Sequence, residues 1–397
     1  MDWLLISVIA IVALALLFDF TNGFHDAANS VGTVVATRAL PAKYAPAFSA
    51  FFNFAALFIV GTAVANTVAK TVDKDVSSVA VIFAALFAAV VWNYITWWVG
   101  MPSSSSHAIL GGLVGAGVAA GFDKGIGFDA INVESVEKAL VGLIASPAVA
   151  IAIAFIAMYI IFLVQKIFKW HDNHTVFKGL QLVAAAGLSF GHGANDAQKT
   201  MGVIAALLLT TGYIEADGKT VGVPMWVKLA AYSAIALGTL WGGWKIIETM
   251  GLKLTTLHAN SGAAANIGST VAIFGATSFG APISTTQAAA SSVVGAGVAS
   301  GKGANWKVVG EMVVAWILTI PAAGLVGFIL YWLTQLPTVF AWIVVGAIVL
   351  VTGTAIVWAM RHSIHADDVE GEIPTEEELD VTEVELHPHL KGSGPVA

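Results

Sequence analysis

The chain has 397 residues, 57% of them hydrophobic and 11% charged, with a mean hydropathy of +0.83. Soluble domains carry about a quarter charged residues, so this composition excludes an ordinary soluble enzyme and predicts an all-α polytopic membrane protein. The net charge of −7 hides a nearly balanced membrane part, because ten of the 25 acidic side chains fall in residues 365–390; the absence of Cys excludes disulfides and thiolate sites, and no basic patch with aromatics points to nucleic acid.

Taken in order, the first apolar run covers 3–20. It lacks the basic flank of a signal peptide and reads as a membrane helix. Asp19, Asn22 and Gly23 predict a break in mid-membrane. Further apolar spans cover 44–69, 77–100, 102–120 and 138–168. After a polar, basic break come spans at 179–212, 225–250, 255–277, 282–300, 309–334 and 338–360. The chain thus divides into a first membrane repeat (1–168), a central loop (169–178), a second repeat (179–337), an extra transmembrane helix (338–360) and an acidic solvated tail (361–397) with a short helix near 375–385. The total is about 11–12 transmembrane helices, broken ones included.

Two internal matches define the repeat. Phe20 to Gly32 aligns with Phe190 to Gly202 at an offset of 170, and Pro102 to Ala108 aligns with Pro282 to Ala288 at an offset of 180. Both Pro segments lead into the same hexapeptide, at Val114–Ala119 and Val294–Ala299. If the spans alternate, Arg38, Lys43, Lys166, Lys169, Lys178, Lys245, Lys253, Lys302, Lys307 and Arg361 share one side. The basic side is cytoplasmic, which puts the N-terminus outside and the central loop and tail inside. Five spans precede the central loop, so the second copy enters from the opposite face. Inverted repeats with broken helices meeting at mid-membrane are a transporter architecture.

The polar residues inside this apolar sequence are the candidate site. Asp26 and Asp196 hold the same place in each copy, with no Arg nearby. Carboxylates at that depth cost a few kcal/mol or more unless compensated. Asp26, Asn29, Ser30, Asn195 and Asp196 offer hard oxygen ligands for Na+ or a relay for H+, and the competing reading is a structural hydrogen bond. Asp26, Asn29, Ser30 and Thr33 share a helical face, as do Asp196, Lys199 and Thr200. Lys199 has two open readings: it neutralises Asp196, or it attracts an anion. Pro102 with Ser103, Ser104, Ser105 and Ser106, and Pro282 with Ser284, Thr285, Thr286 and Gln287, predict helix starts whose caps and hydroxyls face the interior. Two such ends form an oxyanion site without Arg; the alternative is hydroxyl packing between close helices. His25, His107, His192 and His258 lie near the interior as relays or as satisfied hydrogen-bonding groups, and the latter suits His258. No zinc, dinucleotide or ATP motif is present.

At the doubled motif the chain resembles the inorganic phosphate transporter (PiT) family, which carries a GANDVANS-like signature in each half. Gly193-Ala194-Asn195-Asp196-Ala197 matches one end of it and Asp26-Ala27-Ala28-Asn29-Ser30 the other. Phe24 and His25 depart from it in the first copy, and Gln198, Lys199 and Thr200 in the second. The resemblance implies a secondary active transporter, not an enzyme, that imports inorganic phosphate by symport with a cation. It favours Na+ at Asp26, Asn29, Asn195 and Asp196; the residues alone leave H+ open. A sulfate or other oxyanion permease of the same architecture is the alternative. No cofactor is expected. The expected partners are phosphate, Na+ and the lipid bilayer of the cell's inner (plasma) membrane, with a homodimer left open.

Overall fold

The computed structural model describes residues 3–217 and 220–373; the helix predicted near 375–385 and the distal tail lie outside the described residues. The first repeat runs through α1 (Trp3–Asp26), α2 (Ala28–Ala36), α3 (Ala45–Ala55), α4 (Ala63–Ala69), α5 (Val79–Val99), α6 (Ser105–Asp123) and α7 (Val133–Phe168). The second runs through α8 (Thr175–Thr210), α9 (Met225–Trp241), α10 (Trp244–Glu248), α11 (Ala259–Ser278), α12 (Thr285–Ala299) and α13 (Trp306–Thr334), followed by α14 (Thr338–Arg361) and α15 (Ala366–Glu372). A two-stranded ribbon, β1 (Ala216–Asp217) with β2 (Thr220–Val221), sits in the loop after α8.

Every predicted span coincides with helix. Among the described residues six helical stretches, α1 and α2 counted as one, are long and apolar enough to cross a membrane, and the α3–α4 pair, bent by 87°, makes a seventh. The rest, α8, α9, α11 and α12, are short or carry the polar residues of the interior. Local chemistry sets many of the helix ends. Ser78, Asn132 and Asn305 cap α5, α7 and α13 by accepting a backbone N–H three residues on. Gly100, at φ +76°, closes α5 in the left-handed conformation that L side chains resist. His174 accepts from the Val176 N–H, so α8 begins at Thr175 and the central loop is 169–174, shorter than expected.

The two repeats pack by exchange. α6 lies on α13, and its counterpart α12 lies on α7. α1 lies on α9, and its counterpart α8 lies on α3. Each copy thus completes the other, as an approximate two-fold axis requires, and the protein is an all-α polytopic membrane protein built from two inverted repeats.

The break expected at Gly23 is elsewhere. The interruption between α1 and α2 falls at Ala27, where Ala27 N–H still bonds Gly23 O at 3.0 Å, and α8 runs unbroken through its own copy of the motif. The sharp bend is between α3 and α4. Gly23 and Gly193 serve approach instead of flexion: a Cβ at Gly23 would strike the Ile235 carbonyl of α9, and one at Gly193 the Asn53 carbonyl of α3. The start of the tail is not free in solvent. Val369 and Ile373 are buried, and Arg38 donates to the Ile373 carbonyl at 2.9 Å.

Candidate functional site

The exchanged packing brings the ends of α1, α6 and α12 and the middle of α8 together in the core. Asp26 and Asp196, 170 residues apart, meet there. The Thr285 hydroxyl lies 3.1 Å from Asp26 Oδ2 and 3.2 Å from Asp196 Oδ2. His192 Nε2 stands 4.0 Å and 3.6 Å from the same two oxygens. Asn22 donates to Asp196 Oδ2 at 3.2 Å, and its own carbonyl accepts from Ser105 at 2.7 Å. Ser105 also reaches Asp26 Oδ2 at 3.5 Å. All of these side chains are buried, so the centre is closed to both sides.

The two carboxylates are held differently. Asp26 Oδ1 lies 2.8 Å from His25 Nδ1, and His25 Nε2 is 3.2 Å from the Thr96 hydroxyl. Asp196 Oδ1 accepts from the Lys199 ammonium at 2.6 Å. Lys199 also donates to the Ile283 carbonyl at 2.9 Å and to Ser106 Oγ. Of the two readings of Lys199, the structure shows neutralisation of Asp196.

The remaining candidates divide. Ser104 and Ser284 are helix caps, accepting from the His107 and Gln287 N–H groups at 3.1 Å each, as the Pro-Ser pattern predicts. Ser103 donates to Thr96 at 3.1 Å, and Ser106 donates to the Ile283 carbonyl at 2.6 Å. Thr286 Oγ1 faces Asp26 without closing a regular hydrogen bond, and Gln287 Oε1 has none. Asn29 is buried and both of its amide atoms lack a hydrogen bond. Asn195 donates to Thr277 and to the Ala281 carbonyl at 2.9 and 3.1 Å, leaving its Oδ1 unbonded. Ser30 does not join the carboxylates: it pairs with Ser49 at 2.7 Å, and Ser49 with Ser189 at 3.0 Å. Thr33 turns to Asn266, in a network with Gln181 and Thr37 that ties α2 to α8 and α11. Thr200 is buried and its Oγ1 closes no hydrogen bond. His258 bonds Asn173 at 3.4 Å and belongs to the N-terminal box of α11, a structural role.

Two contributors escaped the sequence reading. Asn22 and Asp19 enter that reading only as parts of a mid-membrane break. Asn22 is the repeat counterpart of His192 at the offset of 170, so the alignment that paired the aspartates carries the signal for both. Asp19 is fully buried with neither carboxylate oxygen hydrogen-bonded; its counterpart is Ser189, which hides it from a search for matched acids.

What the centre does chemically follows from donor count. A hydroxyl has one proton to donate, yet Thr285 faces two acceptor-only carboxylates. Lys199 supplies charge to one of them. The other carboxylate, Asp26, is buried and is met by His25, Thr285 and Ser105 in place of a lysine.

The sequence model of the phosphate transporter family matches residues 22–175 and again 164–327, one match per repeat. A protein of Rhizobium meliloti (strain 1021), described as a probable low-affinity inorganic phosphate transporter, is 43% identical over 333 residues, covering 83% of this chain and 96% of its own length. A Bacillus subtilis (strain 168) protein of the same description is 40% identical over 339 residues, covering 85% and 99%. A solved structure titled the sodium-dependent phosphate transporter superposes with a TM-score of 0.72 at 25% identity, covering 83% of this chain and 99% of that one.

Proposed function

This chain belongs to the phosphate transporter family, and from that premise we propose that it imports inorganic phosphate by symport with a cation, Na+ in preference to H+. The observation that carries the cation half is the meeting of Asp26 and Asp196 over one Thr285 hydroxyl. Phosphate carries one to two negative charges near neutral pH, and lipid excludes it. A cation bound at the two carboxylates lowers the negative charge that phosphate meets, so each ligand raises the affinity for the other. Asp26, Asn29, Asn195 and Asp196 are the proposed cation ligands; Ser30, paired with Ser49, is not among them. Ser103 to Ser106, Ser284, Thr285 and Gln287 are the proposed anion ligands, at the buried starts of α6 and α12, while Thr286, beside Asp26, is assigned to the cation. The solved relative's title names sodium, which supports Na+ here.

The closed centre implies alternation between outward and inward openings around a fixed site. We place the protein in the plasma membrane with its N-terminus outside and the central loop and tail inside, on the distribution of Lys and Arg. Uptake of labelled phosphate into proteoliposomes, with Na+ and pH gradients imposed separately, tests the proposal. Uptake driven by the Na+ gradient alone is expected. Uptake driven only by the pH gradient reassigns the ion, and stronger competition by sulfate than by unlabelled phosphate reassigns the anion. For the orientation, His171→Cys should be shielded from an impermeant thiol reagent outside cells and Asp123→Cys should react.

A further inference from the structure

The repeat offsets pair the side chains of the centre; several pairs differ in chemistry, Asn22 with His192 and His25 with Asn195 among them, and one sets an amide against an ammonium. Asn29 corresponds to Lys199. Three oxygens hold the Lys199 ammonium: Asp196 Oδ1 at 2.6 Å, the Ile283 carbonyl at 2.9 Å and Ser106 Oγ. An ammonium has three protons, and this set uses all of them. A carboxylate, a carbonyl and a hydroxyl are also the ligand types that hard metal cations choose.

The same offsets map these three acceptors onto Asp26, the Ser103 carbonyl and the Thr286 hydroxyl. In that half the partner of Asp26 Oδ1 is His25 Nδ1, at 2.8 Å, and the position of the lysine holds none. Asn29 stands there instead, 1% exposed, with its amide oxygen and nitrogen both unbonded. Thr286 Oγ1 faces Asp26 and closes no regular hydrogen bond. By the repeat offsets the first half carries the same oxygen types as the second, with the His25 ring on Asp26 Oδ1 and an unbonded Asn29 amide where the second has its lysine.

We infer that Lys199 is a tethered cation. Its ammonium takes, in the second half, the place that a mobile monovalent cation takes among Asp26, Asn29 and Thr286 in the first. The centre then binds one transported cation fewer than two identical halves would. The inference rests on the centre being cation-coupled, and it adds the residue that sets how many cations are coupled. A lysine that merely braces α8 against α6 and α12 makes a different prediction.

Two exchanges across the pseudo-two-fold axis decide between them. Lys199→Asn gives the second half the chemistry of the first. In purified protein, thermal unfolding in NaCl against equimolar choline chloride should then depend on Na+ more steeply than wild type, by one ion. In proteoliposomes the Hill coefficient for Na+ should rise by about one. Asn29→Lys gives the first half the chemistry of the second. It should lose the Na+-dependent stabilisation and bind inorganic phosphate without Na+. A folded Lys199→Asn protein with the wild-type Na+ response, or an Asn29→Lys protein that keeps that response, overturns the inference. If Lys199→Asn does not fold, Asn29→Lys decides alone. The transport reading fails separately: wild-type vesicles without cation-driven uptake would remove it, while the pattern of Na+ stabilisation would still judge the tethered cation.

Discussion

In the first repeat Asp26 is steadied by His25 at 2.8 Å, and in the second Asp196 is steadied by Lys199 at 2.6 Å. Around this difference the two halves match closely. Ser104 and Ser284 cap their helices at the same 3.1 Å. Gly23 and Gly193 each let a backbone carbonyl of the other repeat come close. Duplication has therefore held the scaffold more tightly than the charge. Packing explains why: a glycine or a cap at these crossings has few substitutes, because an added Cβ meets backbone that cannot yield. On the proposed function, a charged or amide side chain in this layer can change wherever a mobile ion makes up the balance.

The strongest test of this contrast removes one carboxylate at a time. Both Asp26→Asn and Asp196→Asn should abolish gradient-driven phosphate uptake. Only Asp196→Asn leaves a buried ammonium unpaired, so it should lose roughly 3–5 kcal/mol of stability. Combining it with Lys199→Met should restore most of that stability and none of the uptake. Equal stability of the two single variants, by denaturation in detergent, would erase the distinction between the halves.

Next in size are the paired hydroxyls. Ser106→Ala removes an acceptor from the Lys199 ammonium and should cost about 1.5–3 kcal/mol, the range for hydrogen bonds to charged groups. The glycine pair should behave alike. Gly23→Ala and Gly193→Ala each force two backbones apart, at about 1–3 kcal/mol of overpacking; a marked inequality between them would show that the crossings are not equivalent. The smallest effect on stability belongs to Thr286→Ala, within about 0.5 kcal/mol, because Thr286 closes no regular hydrogen bond. It should still weaken Na+ binding, read as a higher Na+ concentration for half-maximal uptake. A Thr286→Ala protein with unchanged Na+ activation sinks its role as a ligand.

Much of this was legible in the chain itself. Hydropathy alone located all eleven helical spans, since a backbone in lipid has no other way to satisfy its polar groups. The offsets of 170 and 180 exposed the duplication, and Pro followed by Ser marked the starts of α6 and α12. A polar face drawn from helical spacing was less reliable. Asp26, Asn29, Ser30 and Thr33 share that face, yet Ser30 pairs with Ser49 and Thr33 with Asn266. A 100° step fixes direction along one helix and says nothing about which neighbour stands opposite.

The sequence by itself determined the class, the duplication and the two aspartates, because these depend on composition and on order along the chain. Only the tertiary structure decided that α6 packs on α13 and α12 on α7, that Asp26 and Asp196 share one threonine hydroxyl, and that Lys199 answers one aspartate and leaves the other to its histidine. Those facts depend on contacts between residues far apart in the chain, and which residues meet is set by the packing of whole helices.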